Sequence, residues 1–147
     1  MGQVVAICLS EARGTPKQCL NEALLIGGLG LKGDAHAGDW HRQVSVLPEE
    51  RILAFRESGA EVGFGDFGEN LVIRGVDWRT LAVGDSFRVG GAVLELTQFG
   101  KECTSRCRIY DAMGDCIMPR HGMFARVVEG GTVRVGDAVA VCGGEGT

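Results

Sequence analysis

Two separated segments of the chain follow one plan. Leu81-Ala-Val-Gly-Asp-Ser-Phe-Arg-Val-Gly and Val133-Arg-Val-Gly-Asp-Ala-Val-Ala-Val share the pattern Val-Gly-Asp-x-φ-x-Val, in which φ is apolar. Each reads as a turn at Gly-Asp that feeds an alternating strand. Two such units, short strand-like runs throughout and 24 glycines in 147 residues predict a mostly β, barrel-like domain with a few helices. Closing the sheet on itself removes most of its exposed edges.

The other segments fit that outline. Gln3 to Leu9 is an almost unbroken apolar run, which predicts a strand buried on both faces with Cys8 as a small core residue. Cys19 follows Thr15-Pro16-Lys17 in a loop or edge strand and, like Cys142, has no assigned role. Gln43 to Leu47 alternates polar and apolar residues and predicts a half-buried strand. Pro48 then suits the first turn of a helix, Glu49 and Glu50 suit its positive end, Ile52 and Phe55 share a face, and Ser58-Gly59 ends it. Ala92 to Thr97 is a further strand. One domain over 1–142 is expected, with 143–147 a frayed tail.

Composition narrows the function classes. A net charge of −4 argues against a general nucleic-acid binder, whose affinity rests on neutralising phosphates. No apolar run approaches the ~18 residues of a membrane span, and the N-terminal residues lack the charged and apolar regions of a secretory signal. The expectation is a cytoplasmic protein with reduced thiols and no membrane partner. Charge is nevertheless uneven: Lys101 to Arg126 holds five basic against three acidic residues, a local surplus suited to a small anion or to a solvated face.

Two glycine-rich loops carry polar residues. The first includes Lys32-Gly33-Asp34-Ala35-His36, where Asp34 either caps its own turn or joins His36 in a pocket wall. It matches neither a phosphate-binding Walker loop nor a dinucleotide fingerprint. The second, Gly63 to Gly68, delivers Glu69-Asn70 to the strand Leu71-Val72-Ile73, where the pair can bind a ligand or tie down the loop's own backbone.

The chemistry concentrates between Gly100 and Gly122. Cys103, Cys107 and Cys116 fall as C-x3-C-x8-C directly after a strand, and Thr104 and Ser105 are helix N-cap types. Cys107, Tyr110 and Met113 repeat at helical spacing, which predicts Cys103 at or just before a helix N-terminus. Unpaired backbone N–H groups there, with Lys101, Arg106 and Arg108 nearby, favour a thiolate. Cys103 is the candidate nucleophile or soft-metal ligand, with Cys107 and Cys116 as accessory thiols. A zinc site from Cys103, Cys107, Cys116 and His121 is the competing reading, although zinc motifs more often open with C-x2-C.

Taken in order, Gly33-Asp34-Ala35-His36-Ala37-Gly38, Arg42-Gln43-Val44-Ser45, Gly68-Glu69-Asn70-Leu71, the first Val-Gly-Asp unit, Ala92-Val-Leu-Glu-Leu-Thr-Gln, the Cys103 segment and Phe124-Ala-Arg-Val-Val-Glu-Gly-Gly with the second unit resemble a MOSC domain, the molybdenum cofactor sulfurase C-terminal domain in stand-alone form. The resemblance spans about residues 3 to 141 and implies a β-barrel, a molybdenum or tungsten pterin cofactor, and a cysteine that carries sulfur as a persulfide or ligates the metal. Cys103 matches that cysteine by position. The resemblance places Asp34, His36, Glu69 and Asn70 near the cofactor pocket; by charge and paired donors, Arg120 and Arg126, then Arg42, suit its phosphate, and Lys101 adds positive charge. No pyridoxal phosphate is expected on this chain, so sulfur would come from a separate cysteine desulfurase and go to a molybdenum or tungsten enzyme or its maturation factors. Reduction of N-hydroxylated compounds and a zinc-stabilised adaptor role are the alternatives.

Overall fold

The computed structural model describes residues 2–11, 17–35, 37–59, 62–65, 67, 69–99 and 122–141. In chain order the strands are β1 (Gly2–Leu9), β2 (Gln18–Leu20), β3 (Glu22–Ile26), β4 (Gly30–Leu31), β5 (Val44–Pro48), β6 (Leu71–Arg74), β7 (Ser86–Val89), β8 (Ala92–Phe99), β9 (Met123–Glu129), β10 (Gly131–Arg134) and β11 (Ala138–Val141). Helix α1 (Glu49–Glu57) lies between β5 and β6, and a 3-10 turn covers Trp78–Thr80.

Seven strands close into a barrel in the order β11-β7-β8-β9-β5-β6-β1, the ring being completed where Gly2 and Gln3 pair with Val139 and Ala138. All these pairs are antiparallel except β5 with β6, which run parallel because α1 carries the chain back between them. A short sheet, β10-β3-β4, stands beside the barrel. The mostly β barrel expected from the repeated turns is the fold observed.

The two Val-Gly-Asp segments form the same turn twice. Gly84 and Gly136 take φ of +100° and +96°, a region that glycine enters without steric cost. Asp85 Oδ2 accepts from Ala82 N at 2.9 Å, and Asp137 Oδ2 accepts from Arg134 N at 2.8 Å. Each turn then holds one residue of a neighbouring strand by both of its backbone groups. Gly84 N donates to Leu96 O and Leu96 N to Asp85 O; Gly136 N donates to Val4 O and Val4 N to Asp137 O.

Two apolar layers follow from the sheet's two faces. Ile7, Val46, Leu71, Phe87, Leu94 and Leu96 belong to the cluster that includes side chains from around the ring. Ala6, Cys8, Leu47, Val72 and Phe124 form a second cluster with Ile52 and Phe55 of α1 and with Phe67. A register shift between Val4 and Ala6 lets Val5 and Ala6 both join the second layer, and this bulge explains the unbroken apolar run of β1. Burying Ile52 and Phe55 stabilises the docked helix by roughly 1.5–3 kcal/mol per side chain.

Two expectations need correction. Pro48 is the extended N-cap and the last residue of β5, not part of the helix's first turn. β5 is buried on both faces, not one: Val44 and Val46 join the first cluster, while Leu47 packs in the layer under α1 and Ser45 is also buried. The alternation was real, but α1 and Phe67 cover the face that would otherwise meet solvent.

Candidate functional site

Gly100 to His121, and with them Lys101, Cys103, Cys107, Cys116, Arg120 and His121, lie outside the described residues, as does His36. The strands that deliver that segment and receive it back are described. β8 and β9 pair as Gln98↔Phe124 and Phe99↔Met123 at the point where the chain departs and returns.

Residues just before β5 fasten onto the same place. Arg42 Nε donates to Gln98 Oε1 at 3.1 Å, and its guanidinium lies 5.1 Å from the centre of the Phe124 ring. His41 Nε2 lies 3.0 Å from the same Gln98 oxygen, and Thr97 Oγ1 donates to the His41 carbonyl. Trp40 meets the His41 ring edge-on. Of the predicted binding residues, Arg42 is thus the one placed directly against the base of the Cys103 segment.

A cleft of about 670 Å³ opens beside this contact, lined among others by Asp39, Trp40, His41, Glu95, Thr97 and Arg126. Arg126 Nε donates to Glu95 Oε1 at 2.5 Å, with 56% of the arginine side chain exposed. The cleft thus offers a cation, two carboxylates, an imidazole and an indole ring. Sequence reading does not single out Trp40, His41, Glu95, Thr97 or Gln98. The available signal was polar side chains crowding the end of a strand that runs into Gly100.

Asp34, Glu69 and Asn70 are used in the interior. Asp34 Oδ1 accepts from Lys17 Nζ at 2.6 Å and from Ser10 N at 3.1 Å, both side chains of the ion pair being buried. Glu69 accepts from Gly65 N at 2.8 Å and Phe67 N at 3.1 Å, which folds the second glycine-rich loop around its carboxylate. Gly65 takes φ of +91°, and a Cβ there would come within 2.1 Å of the Lys17 carbonyl oxygen, so glycine is required.

Asn70 fastens three strands. Its Oδ1 accepts from Ser45 N at 2.9 Å and from Ser45 Oγ at 3.1 Å, while its Nδ2 donates to Cys8 O at 3.1 Å. Burial, then the nearby Glu69 carboxylate, pushes the Cys8 thiol far above its ordinary range. Asp34, Glu69 and Asn70 therefore bind backbone and a buried lysine, whereas Arg42 and Arg126 stand at the cleft and its flank.

Among the described residues no three His, Cys, Asp or Glu side chains converge to hold a metal, and the Cys103, Cys107, Cys116 and His121 set lies outside them. No helix among the described residues is long and apolar enough to cross a membrane.

A family model for the MOSC domain matches residues 33–140. In fold, the chain is similar to the YUAD protein of Bacillus subtilis, with a TM-score of 0.75 at 18% identity, covering 96% of this chain and 96% of that one. It is also similar to YiiM of Geobacillus stearothermophilus (TM-score 0.71, 18% identity, 96% of this chain and 75% of that one) and to YiiM of Escherichia coli (TM-score 0.63, 24% identity, 95% and 69%). No curated protein matches the chain.

Proposed function

The chain belongs to the MOSC domain family, and from that premise we propose that it binds a molybdenum or tungsten pterin cofactor and handles sulfur or metal through Cys103. The observation that carries this reading is the family match over residues 33–140, which spans Cys103 and every candidate binding residue. The cleft supports it chemically. Its volume falls in the range of small-molecule sites. Arg126 suits a phosphate, Trp40 suits stacking on a planar ring, and Glu95 or Asp39 suits the adjacent N–H donors of a pterin. When bound, the cofactor supplies a metal centre able to accept a sulfur ligand.

The chain's own part is to position and to carry. Arg126 would hold the cofactor's phosphate in place of Glu95 with little loss, because both side chains are partly solvated. Arg42, held by Gln98 and by Phe124, keeps positive charge at the root of the Cys103 segment. In the sulfur-carrier reading, the Cys103 thiolate attacks the terminal sulfur of a persulfide on a separate desulfurase. The donor's thiolate leaves, and Cys103 holds the sulfur for a molybdenum or tungsten enzyme.

The test is the metal and pterin content of protein from molybdate-supplied cells, for the intact chain and Cys103→Ala side by side. Molybdenum with pterin in the first and little in the second establishes a site ligated through Cys103. One added sulfur atom on Cys103, removable by a reductant, establishes the carrier. Zinc in the intact chain alone replaces both with the adaptor reading.

A further inference from the structure

We propose that Cys8 and Cys19 form a reversible disulfide across the β1–β2 ladder, with Cys19 as the solvent-facing thiol that reacts first. This is a site separate from Cys103, and it stands whether or not the cofactor reading does.

β1 and β2 are antiparallel with Cys8 directly opposite Cys19, and the two Sγ atoms are 3.7 Å apart. The backbone of Cys8 identifies the kind of pair. Cys8 N donates to Asn70 O and Cys8 O accepts from Asn70 Nδ2, so both polar groups of Cys8 point toward β6, away from β2. Cys8 and Cys19 are therefore a non-hydrogen-bonded pair, the arrangement in which facing Cα atoms lie about 4.5 Å apart and side chains come closest. That spacing falls within the range spanned by disulfides.

The two thiols differ in a useful way. Cys8 is fully buried in the layer under α1, among residues that need not move. Cys19 lies on a three-residue strand whose side chains are exposed, and its Sγ donates weakly to Phe64 O at 3.6 Å. Closing the remaining distance of roughly 1.7 Å to a bonded pair asks for movement at Cys19 alone. Burial and the Glu69 carboxylate keep Cys8 protonated until it is engaged. An exposed thiol over a protonated resolving thiol is an ordered pair.

The step balances with a low-molecular-weight disulfide as oxidant. The Cys19 thiolate attacks one sulfur of that disulfide, its S–S bond breaks, and one small thiolate leaves, giving a mixed disulfide on Cys19. Cys8 then gives up its proton as its sulfur attacks Cys19 Sγ. The mixed bond breaks, the Cys8–Cys19 bond forms, and the second small thiolate departs and takes up the proton. Two protein thiols are oxidised and one small disulfide is reduced to two thiols. The bridge removes the Cys19 S–H bond to Phe64 and fixes the edge strand to the barrel wall.

The experiment equilibrates the full chain with defined ratios of reduced to oxidised glutathione, blocks residual thiols, unfolds it, digests it with trypsin and reads masses. Arg13, Lys17 and Lys32 place Cys8 in 1–13 and Cys19 in 18–32, so the bridge links two separable peptides. Linked 1–13 and 18–32 that rise with oxidised glutathione and vanish with dithiothreitol are expected. Cys8→Ser should leave a lasting glutathione adduct on 18–32. Cys19→Ser should leave Cys8 reduced and blocked only after unfolding. The oxidised intact chain should also melt about 5–10 °C above the reduced one, a shift that Cys19→Ser abolishes. A lasting adduct on Cys19 of the intact chain, or Cys19 linked to any cysteine but Cys8, overturns the proposal.

Discussion

The paired Gly-Asp turns and the buried set of Asp34, Glu69 and Asn70 use similar side chains for different tasks. Asp85 and Asp137 each accept from a backbone N–H three residues back in their own turn. Asn70 instead reaches Ser45 and Cys8, 25 and 62 residues away, and Asp34 reaches Lys17 and Ser10. The first kind shapes a turn that solvent could also satisfy. The second holds strands together in an interior closed to solvent. Equal chemistry thus carries unequal weight, and the difference is the distance along the chain and the depth of burial.

Substitutions can break that distinction at its strongest point first. Asn70→Ala should lower unfolding stability by about 3–5 kcal/mol, since it withdraws partners from Ser45 and from Cys8 in a dry layer; a denaturant midpoint measures this. Asp34→Ala should cost about 3 kcal/mol or more, because Lys17 then loses the carboxylate beside its buried ammonium. Either variant behaving like a surface mutant would dissolve the contrast.

Cys8 sharpens the same point through pH. Its thiol is held protonated in the folded chain, so the folded value lies above the unfolded one. The associated stability is fully present below the unfolded value and is lost as pH rises past it toward the folded one. Between about pH 8.5 and 10, unfolding titrations should show a decline of up to ~1.4 kcal/mol per unit, flattened in Cys8→Ala.

The turn aspartates come next. Asp85→Ala and Asp137→Ala should each cost about 1 kcal/mol, and similar amounts, because the two turns are bonded alike. Arg126→Ala should change the thermal midpoint least, by an amount equivalent to under ~0.5 kcal/mol, since its pair with Glu95 is largely solvated. A larger loss at Arg126 than at Asp137 would invert the ranking.

The same contrast explains what could be read from the sequence. The Gly-Asp turns were legible because donor, acceptor and glycine sit within four residues, and α1 because Glu49, Ile52, Phe55 and Ser58 declare a helix locally. The closed barrel followed from repeated local signals. The double burial of β5 did not, because its cover comes from α1 and from residues near Phe67. At the site, Arg42 and Arg126 were named, but their partners Gln98 and Glu95 are 56 and 31 residues away, and no pattern announces such pairs. Glu69 and Asn70 admit two readings from sequence, because the loop amides and the Ser45 clip that engage them come together only in the folded chain.

The seam between β1 and β11 has a consequence for synthesis on the ribosome. Gly2 pairs with Val139, so β1 waits for a closing partner that lies far along the chain. Until then one wall of the ring is open, and β1 exposes backbone donors and acceptors along an apolar edge. β2 matches the Ile7–Leu9 end of β1 soon after it is made, whereas β6, which begins at Leu71, comes much later. The Gly2–Ala6 part of β1 therefore travels a long way unmatched, which makes it the natural binding point for a holding chaperone.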